Sequence, residues 1–138
     1  MADVLKTWWL TNGVTVEITD ETKQTSPDFW MIKLAVKATI EVKTTYVEDF
    51  EEGPDYLEIL SMILPTAEYR RDIIKEGVKA EKITAEKAFL IDAFEKEALV
   101  YFDREDFPER YVRTLYKELE KKISAKRAIR KNDSDEFL

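Results

Sequence analysis

The most regular feature of the chain is an alternation of apolar and mixed residues between Trp30 and Lys43. Every second position is apolar: Trp30, Ile32, Leu34, Val36, Ala38, Ile40 and Val42. A period of two predicts a β-strand with one buried face. Its fourteen residues, at about 3.3 Å each, would run about 45 Å, longer than most strands. We therefore expect this strand to bend, or to overhang its hairpin neighbour and pair elsewhere with its second half.

A β-hairpin is predicted before this strand, because Asn12-Gly13 is a strong signal for a two-residue type I′ turn. Such a loop would pair Trp9 with Val16 and Thr7 with Ile18, and these residues would face the core. The opposite face would then carry a mixed set of side chains: Lys6, Trp8, Leu10, Thr15, Glu17 and Thr19.

Two shorter elements are predicted in the middle of the chain. Residues 56–64 are apolar and fit a helix or a strand. Asp55 as an N-cap and Pro65 as a terminator favour the helix. A loose alternation over residues 67–74 predicts a fourth strand, which Gly77 would end.

Two helices are predicted at the C-terminal end. The first runs from Thr84, a natural N-cap, to Phe102, and the second starts at Asp106 or Phe107. The fold class is therefore α+β: an antiparallel sheet of three to four strands, an N-terminal meander, packed on one face by the two C-terminal helices. We expect one domain over residues 1–131 and a frayed acidic tail over residues 132–138.

Composition excludes most catalytic chemistry. The 138 residues contain no cysteine, no histidine and only three glycines. Nucleophile schemes that need His or Cys, zinc sites built on these residues and glycine-rich phosphate loops are therefore excluded. We expect a protein that is not an enzyme and has no cofactor. The absence of a secretory signal, of an apolar span and of cysteine predicts a cytoplasmic location.

The net charge of −7 argues against binding to nucleic acid or to an anionic membrane. A basic cluster near the C-terminus could still form a nucleic-acid or partner patch, although cationic last turns of a helix are the simpler interpretation. Its members are Lys121, Lys122, Lys126, Arg127, Arg130 and Lys131.

Carboxylates offer the remaining route to chemistry. The acidic loop over residues 48–55 could hold a hard cation, although it does not fit an EF-hand. Asp103, Glu105 and Asp106 lie between the two predicted helices and could form a metal site or an acid–base pair. Acids at a helix start are also what capping predicts, so a carboxylate-based metal enzyme is only an alternative function.

Large apolar residues on the second face of the sheet suggest an interface. They are Trp8, Leu10, Phe29 and Met31. Together with the overhang expected for the long strand, they predict a homodimer and a non-enzymatic, interaction or structural role. An acidic chaperone or adaptor for another protein is an alternative that fits the size and charge. A further helix over this face, or a register shifted by one residue, would remove the patch.

The stretch from Asn12 to Asp20, followed by Asp28-Phe29-Trp30, resembles the opening of a group of small uncharacterised bacterial proteins. In that group an Asn-Gly hairpin leads into an Asp-x-Trp strand. The resemblance implies a single cytoplasmic domain and assigns no activity.

Overall fold

The computed structural model describes the backbone of residues 3–136 and the side chains of residues 3–129. Five strands, β1 (Asp3–Trp9), β2 (Thr15–Asp20), β3 (Lys23–Gln24), β4 (Trp30–Glu41) and β5 (Thr66–Val78), form one antiparallel open sheet. The helices are α1 (Tyr56–Ile63), α2 (Ile83–Glu97), α3 (Leu99–Phe102) and α4 (Phe107–Glu136). The predicted α+β class is confirmed, with one strand more than expected.

The contacts divide the chain into two compact units, one formed by residues 1–40 and 68–107 and the other by residues 41–67 and 108–138. The single domain over residues 1–131 stays a prediction. The tail predicted over residues 132–138 begins inside α4, which continues to Glu136, and residues 137–138 lie outside the described residues.

The long strand β4 is the centre of the sheet and has neighbouring strands on both of its edges. β2 pairs with it from Leu34 to Thr39, and the short β3 continues along the same edge, where Lys23 faces Met31. The opposite edge is taken by β5. Both edges of β4 are thus occupied, which confirms the expectation that this strand pairs elsewhere beyond its hairpin neighbour. The fourth strand predicted over residues 67–74 is present as β5, which is longer at thirteen residues, whereas the short β3 was not predicted. The alternation itself is confirmed, since every even position from Ile32 to Ile40 is buried.

The hairpin between β1 and β2 has a longer turn than predicted. Gly13 has a φ of +87°, but Asn12 keeps a negative φ, so the turn is not type I′. The Gly13 N–H donates to the carbonyl of Leu10, and the Leu10 N–H donates to that of Val14. A type I turn followed by a left-handed glycine suits this pattern. The result pairs Trp9 with Thr15 and Trp8 with Val16, one residue away from the predicted register.

Helices α2 and α3 pack against the sheet in the first unit. The helix predicted from Thr84 to Phe102 is present but starts at Ile83, without a side-chain cap, and is interrupted at Ala98. Phe94 lies 5.5 Å from Trp8 between ring centroids, and Phe102 lies 5.3 Å from Tyr69. These aromatic contacts close the core over the even-numbered residues of β4.

The second unit contains α1 and most of α4. The helix over residues 56–63 confirms the prediction for this segment, although Asp55 makes no capping hydrogen bond. The segment before it contains two 3₁₀ turns, Thr44–Tyr46 and Glu48–Phe50, and the second of these lies in the acidic loop. Phe50 stacks on Tyr116 of α4 at 4.7 Å, so the loop is packed against this helix through an aromatic pair.

Candidate functional site

The predicted interface residues do not share a face. Trp8 lies on the covered side of the sheet, because directly paired residues point the same way and Trp8 pairs with the buried Val16. Its indole N–H donates to the carboxylate of Glu95 at 3.0 Å. Lys6 binds the same carboxylate at 3.1 Å, and its ammonium lies 5.1 Å from the Trp8 ring. The placement of Trp8 on an exposed apolar face was therefore wrong, and the cause is the one-residue register shift.

Of the remaining three predicted residues, Leu10 lies far from Phe29 and Met31. Leu10 follows the end of β1, where Trp9 pairs with Thr15 and Thr15 with Thr39. Met31 lies at the other end of β4, opposite Lys23. Eight positions of β4 separate Thr39 from Met31, which corresponds to about 26 Å along a strand. Phe29, 42% exposed, precedes this far end. One continuous apolar patch of these residues is thus excluded.

The second face of the sheet is charged rather than apolar. Lys33 lies 3.5 Å from Glu21 and 3.9 Å from Asp72, and Lys37 lies 3.4 Å from Glu17. These side chains line an open cleft of about 520 Å³. Opposite charges on neighbouring strands stabilise such a solvated face modestly. The face therefore fits the solvent-exposed side of an antiparallel sheet.

Exposed apolar side chains instead gather on the edge strand β1. Trp9 is 79% exposed, Val4 54% and Leu5 40%. Trp9 and Val4 point to the open face, since they pair with Thr15 and Thr19, and the register shift between Val4 and Lys6 leaves Leu5 outside the pairing. We name these three residues the β1 edge. The sequence did not predict the β1 edge, because the predicted register turned Trp9 towards the core.

The two edges of the sheet differ in their protection against pairing. Strand β5 carries exposed charges along its length, including Arg70, Asp72 and Lys75, and charges on an edge discourage another strand from pairing there. The only cation of β1 is Lys6, which lies on the covered side of the sheet and is paired with Glu95. In the part of the chain that the structure describes, β1 pairs only with β2. Its outer backbone groups and apolar side chains form the less protected edge.

Two of the five carboxylates of the acidic loop are paired with arginines of helix α4. Arg113 donates two hydrogen bonds to Asp49, at 2.6 Å and 2.9 Å, and a third to the carbonyl of Tyr46. The hydrogen bonds from Arg113, which outweigh the effect of burial, lower the pKa of Asp49. Asp55 is buried and accepts a hydrogen bond from Arg127 at 2.5 Å. These carboxylates hold the loop in place.

The second group of acids is also engaged in structure. The carboxylate of Asp103 accepts hydrogen bonds from the backbone N–H and the hydroxyl of Thr11, at 3.3 Å and 3.1 Å. Asp106 takes part in an interaction of its own, and Glu105 is exposed. Among the described residues, no group of three or more acidic side chains is placed to hold a metal ion.

The basic cluster lies along the last turns of α4. The side chains of Lys121, Lys122, Lys126 and Arg127 are exposed, and Arg127 is the partner of Asp55. The side chains of Arg130 and Lys131 lie outside the described residues. One of these cations therefore serves to fix the acidic loop, and the predicted binding role of the cluster stays a prediction.

One buried polar atom in the second unit has no partner. The hydroxyl of Tyr116 makes no hydrogen bond to any part of the chain that the structure describes. Burial, followed by the nearby charge of Glu120, raises the pKa of Tyr116. The phenol therefore remains a neutral donor at physiological pH.

Comparisons with known proteins add no family to this picture, since no family model, no curated protein and no solved structure matches the chain. None of the helices over residues 3–136 combines the length and the apolar character needed to cross a membrane. The resemblance of the Asn12–Trp30 stretch to small bacterial proteins stays an expectation.

Proposed function

We propose that this chain is a non-enzymatic association module that forms a homodimer by pairing the β1 edge with that of a second copy. The observation that carries the proposal is the 79% exposure of Trp9 on an edge strand. Exposed apolar patches mark interaction sites, and tryptophan is enriched at the energetic centres of protein interfaces.

The arrangement of apolar residues along β1 favours a second copy as the partner. Trp9 lies at one end of the strand, and Val4 and Leu5 lie at the other. Antiparallel pairing around a two-fold axis brings the start of one strand next to the end of its partner. Trp9 of each copy then covers the Val4–Leu5 end of the other. The same residues are used twice, as an isologous interface requires.

The competing proposals have less support. A metal-dependent enzyme would need the carboxylates of the 48–55 loop or of the Asp103 region, and three of these already bind Arg113, Arg127 or Thr11. An acidic chaperone or adaptor would offer the β1 edge to a different chain. A cytoplasmic location stays a prediction.

The experiment is light scattering on a sizing column with the parent and with the double variant Val4→Lys, Trp9→Lys. We expect the parent to have twice the mass of one chain and the variant to have the mass of one chain. Lysine on an edge strand blocks pairing by desolvation and by repulsion between like charges. Circular dichroism checks that the variant is folded.

Phe89→Lys is the matched control, because Phe89 is a large aromatic residue of α2 that is 67% exposed and lines a cleft with Lys75 of β5, not with β1. It should keep the parent mass. A monomeric parent would overturn the proposal, as would a double variant that remains dimeric. Loss of the dimer in both variants would show that added charge, rather than the β1 edge, is responsible.

A further inference from the structure

A cleft between strand β5 and helices α2 and α3 has the chemistry of a small binding site. Its cavity of about 390 Å³ is lined by Tyr69, Arg71, Glu97, Ala98, Tyr101 and Phe102. All six belong to the first unit. This volume lies near the lower end of the range for ligand sites, so it suits a small molecule rather than a large cofactor.

Aromatic rings form the walls of the cleft. Tyr101 meets Phe102 edge to face, with centroids 5.7 Å apart, and Tyr69 meets Phe102 in the same way at 5.3 Å. Phe102 is buried, whereas Tyr101 is 55% exposed. The guanidinium of Arg104 lies 6.0 Å from the Tyr101 ring and holds it by a cation–π contact. Such a corner favours a planar apolar group that can pack against several rings.

Two opposite charges at the cleft have no ion-pair partner among the described residues. In the region that the structure describes, Arg71 and Glu97 take part in no ion pair, and both are exposed. Most charges on the sheet are paired instead, including Lys6, Asp20, Lys33 and Lys37. A guanidinium binds a carboxylate strongly and a carboxylate binds an ammonium group, so the cleft offers one partner to each end of a zwitterion.

We propose that this cleft binds a free amino acid with an aromatic side chain. Arg71 takes its carboxylate, Glu97 takes its ammonium group, and the ring packs against Tyr69 and Tyr101. The site lies on the β5 side of the sheet and is independent of the proposed dimer. A protein that is monomeric could bind this ligand equally well.

Calorimetric titration with L-phenylalanine tests the proposal, and three analogues test its parts. L-Alanine lacks the ring, 3-phenylpropanoate lacks the ammonium group and phenethylamine lacks the carboxylate. We expect L-phenylalanine to bind and each analogue to bind at least about tenfold more weakly, because each loses one of three contacts. The proposal would be overturned if L-phenylalanine gave no heat of binding up to about 10 mM, because a site with a higher dissociation constant would not bind the free amino acid to a useful extent. Equal binding of L-alanine would do so as well.

The chain offers an unusually close control for Arg71. Its neighbour Arg70 is paired with Glu68 at 2.9 Å and lines the charged cleft on the open face, not the aromatic one. Arg71 borders both, because β5 lies between them. We expect Arg71→Gln and Glu97→Gln each to weaken L-phenylalanine binding about tenfold, and Arg70→Gln to leave it unchanged. Equal weakening by Arg70→Gln and Arg71→Gln would contradict the assignment. The loss of binding would then come from the removal of a nearby positive charge and not from a direct contact of Arg71 with the ligand.

Discussion

Asn12 shows how one side chain sets the geometry of the hairpin. Its amide nitrogen donates to the carbonyls of Phe102 and Arg104, at 2.7 Å and 2.8 Å, and its amide oxygen accepts from the Val14 N–H at 3.1 Å. Both N–H donors and one of the two oxygen lone pairs of its amide group are therefore used. The Phe102 carbonyl lies at the end of α3, where carbonyls lack intrahelical partners, and the Arg104 carbonyl beyond it also accepts from the Phe107 N–H. Asn12 thus fastens the hairpin tip to the end of this helix.

We expect Asn12→Ala to lower the free energy of unfolding by about 1–3 kcal/mol, since it removes three hydrogen bonds, including the side-chain donor to the Phe102 carbonyl. Urea denaturation followed by tryptophan fluorescence measures the change. Gln24→Ala is the control, because Gln24 is exposed and donates a single hydrogen bond to the carbonyl of Pro27. The two substitutions remove an amide each. If they cost the same, the fastening of the hairpin has no energetic role.

Glu95 should make the stability of the fold sensitive to acid. Hydrogen bonds from Trp8 and then from Lys6 lower its pKa from the usual value of 4.5. The folded state therefore favours the carboxylate. The resulting stabilisation is complete above about pH 4.5, the unfolded value, and is lost as the pH falls through the lower folded value.

Glu95→Gln should therefore lower the melting temperature at pH 7, and the difference from the parent should shrink as the pH falls below about 4.5. Thermal unfolding from pH 7 to pH 3 measures this convergence. Glu97→Gln, on the same helix, serves as a comparison because Glu97 takes part in no ion pair among the described residues. A constant difference between the parent and Glu95→Gln at every pH would exclude the carboxylate as its source.

At the scale of elements, local patterns predicted β4 and the helices but not the register of the hairpin. The alternation in β4 is a local property, because each residue points opposite to its neighbour whatever lies beyond. The turn at Asn12-Gly13 depends on carbonyls about ninety positions away in the sequence. No local preference contains that information, and a slip of one residue exchanged the faces of Trp8 and Trp9.

Gly13 should be needed for its backbone conformation alone. Its φ is +87°, and a Cβ added there would meet nothing within 4 Å. We expect Gly13→Ala to cost about 1–2 kcal/mol, the penalty of an L-residue with positive φ. Gly13→Asn should cost less, because asparagine adopts this region more readily. Thermal unfolding of the two variants gives the ranking. Equal losses would point to a steric cause instead.

At the scale of the whole molecule, exclusions drawn from composition need no geometry, whereas the prediction of a site does. The absence of His and Cys is a count and needs no geometry. The interface residues Trp8, Leu10, Phe29 and Met31 depended on which face each occupied, and the structure separates them. Likewise, the acidic loop could be recognised from its charges, but its pairing with Arg113 and Arg127 of α4 could not. Ion pairs between positions that are distant in the sequence produce no periodic pattern along it.

Self-association through an apolar edge makes a further prediction about salt, because each chain carries a net charge of −7. Two copies repel each other at low ionic strength, and at 0.1 M salt charges are screened beyond about 10 Å. The dimer fraction at a fixed low protein concentration should therefore rise as sodium chloride is raised from about 0.05 M to about 0.5 M. An interface held by ion pairs would respond in the opposite direction, so a fall in dimer fraction would exclude the β1 edge as its main source.

The same association should link stability to protein concentration. Because only the folded chain dimerises, a tenfold increase in concentration stabilises the dimer by about 1.4 kcal/mol, or about 0.7 kcal/mol per chain. For a chain of this length that corresponds to about 2 °C in melting temperature. The Val4→Lys, Trp9→Lys variant should melt at a temperature independent of concentration, while Phe89→Lys should follow the parent. If the melting temperature of the parent does not depend on protein concentration, the β1 edge is unpaired in solution. A dimer that dissociates on unfolding must become more stable as the protein concentration rises.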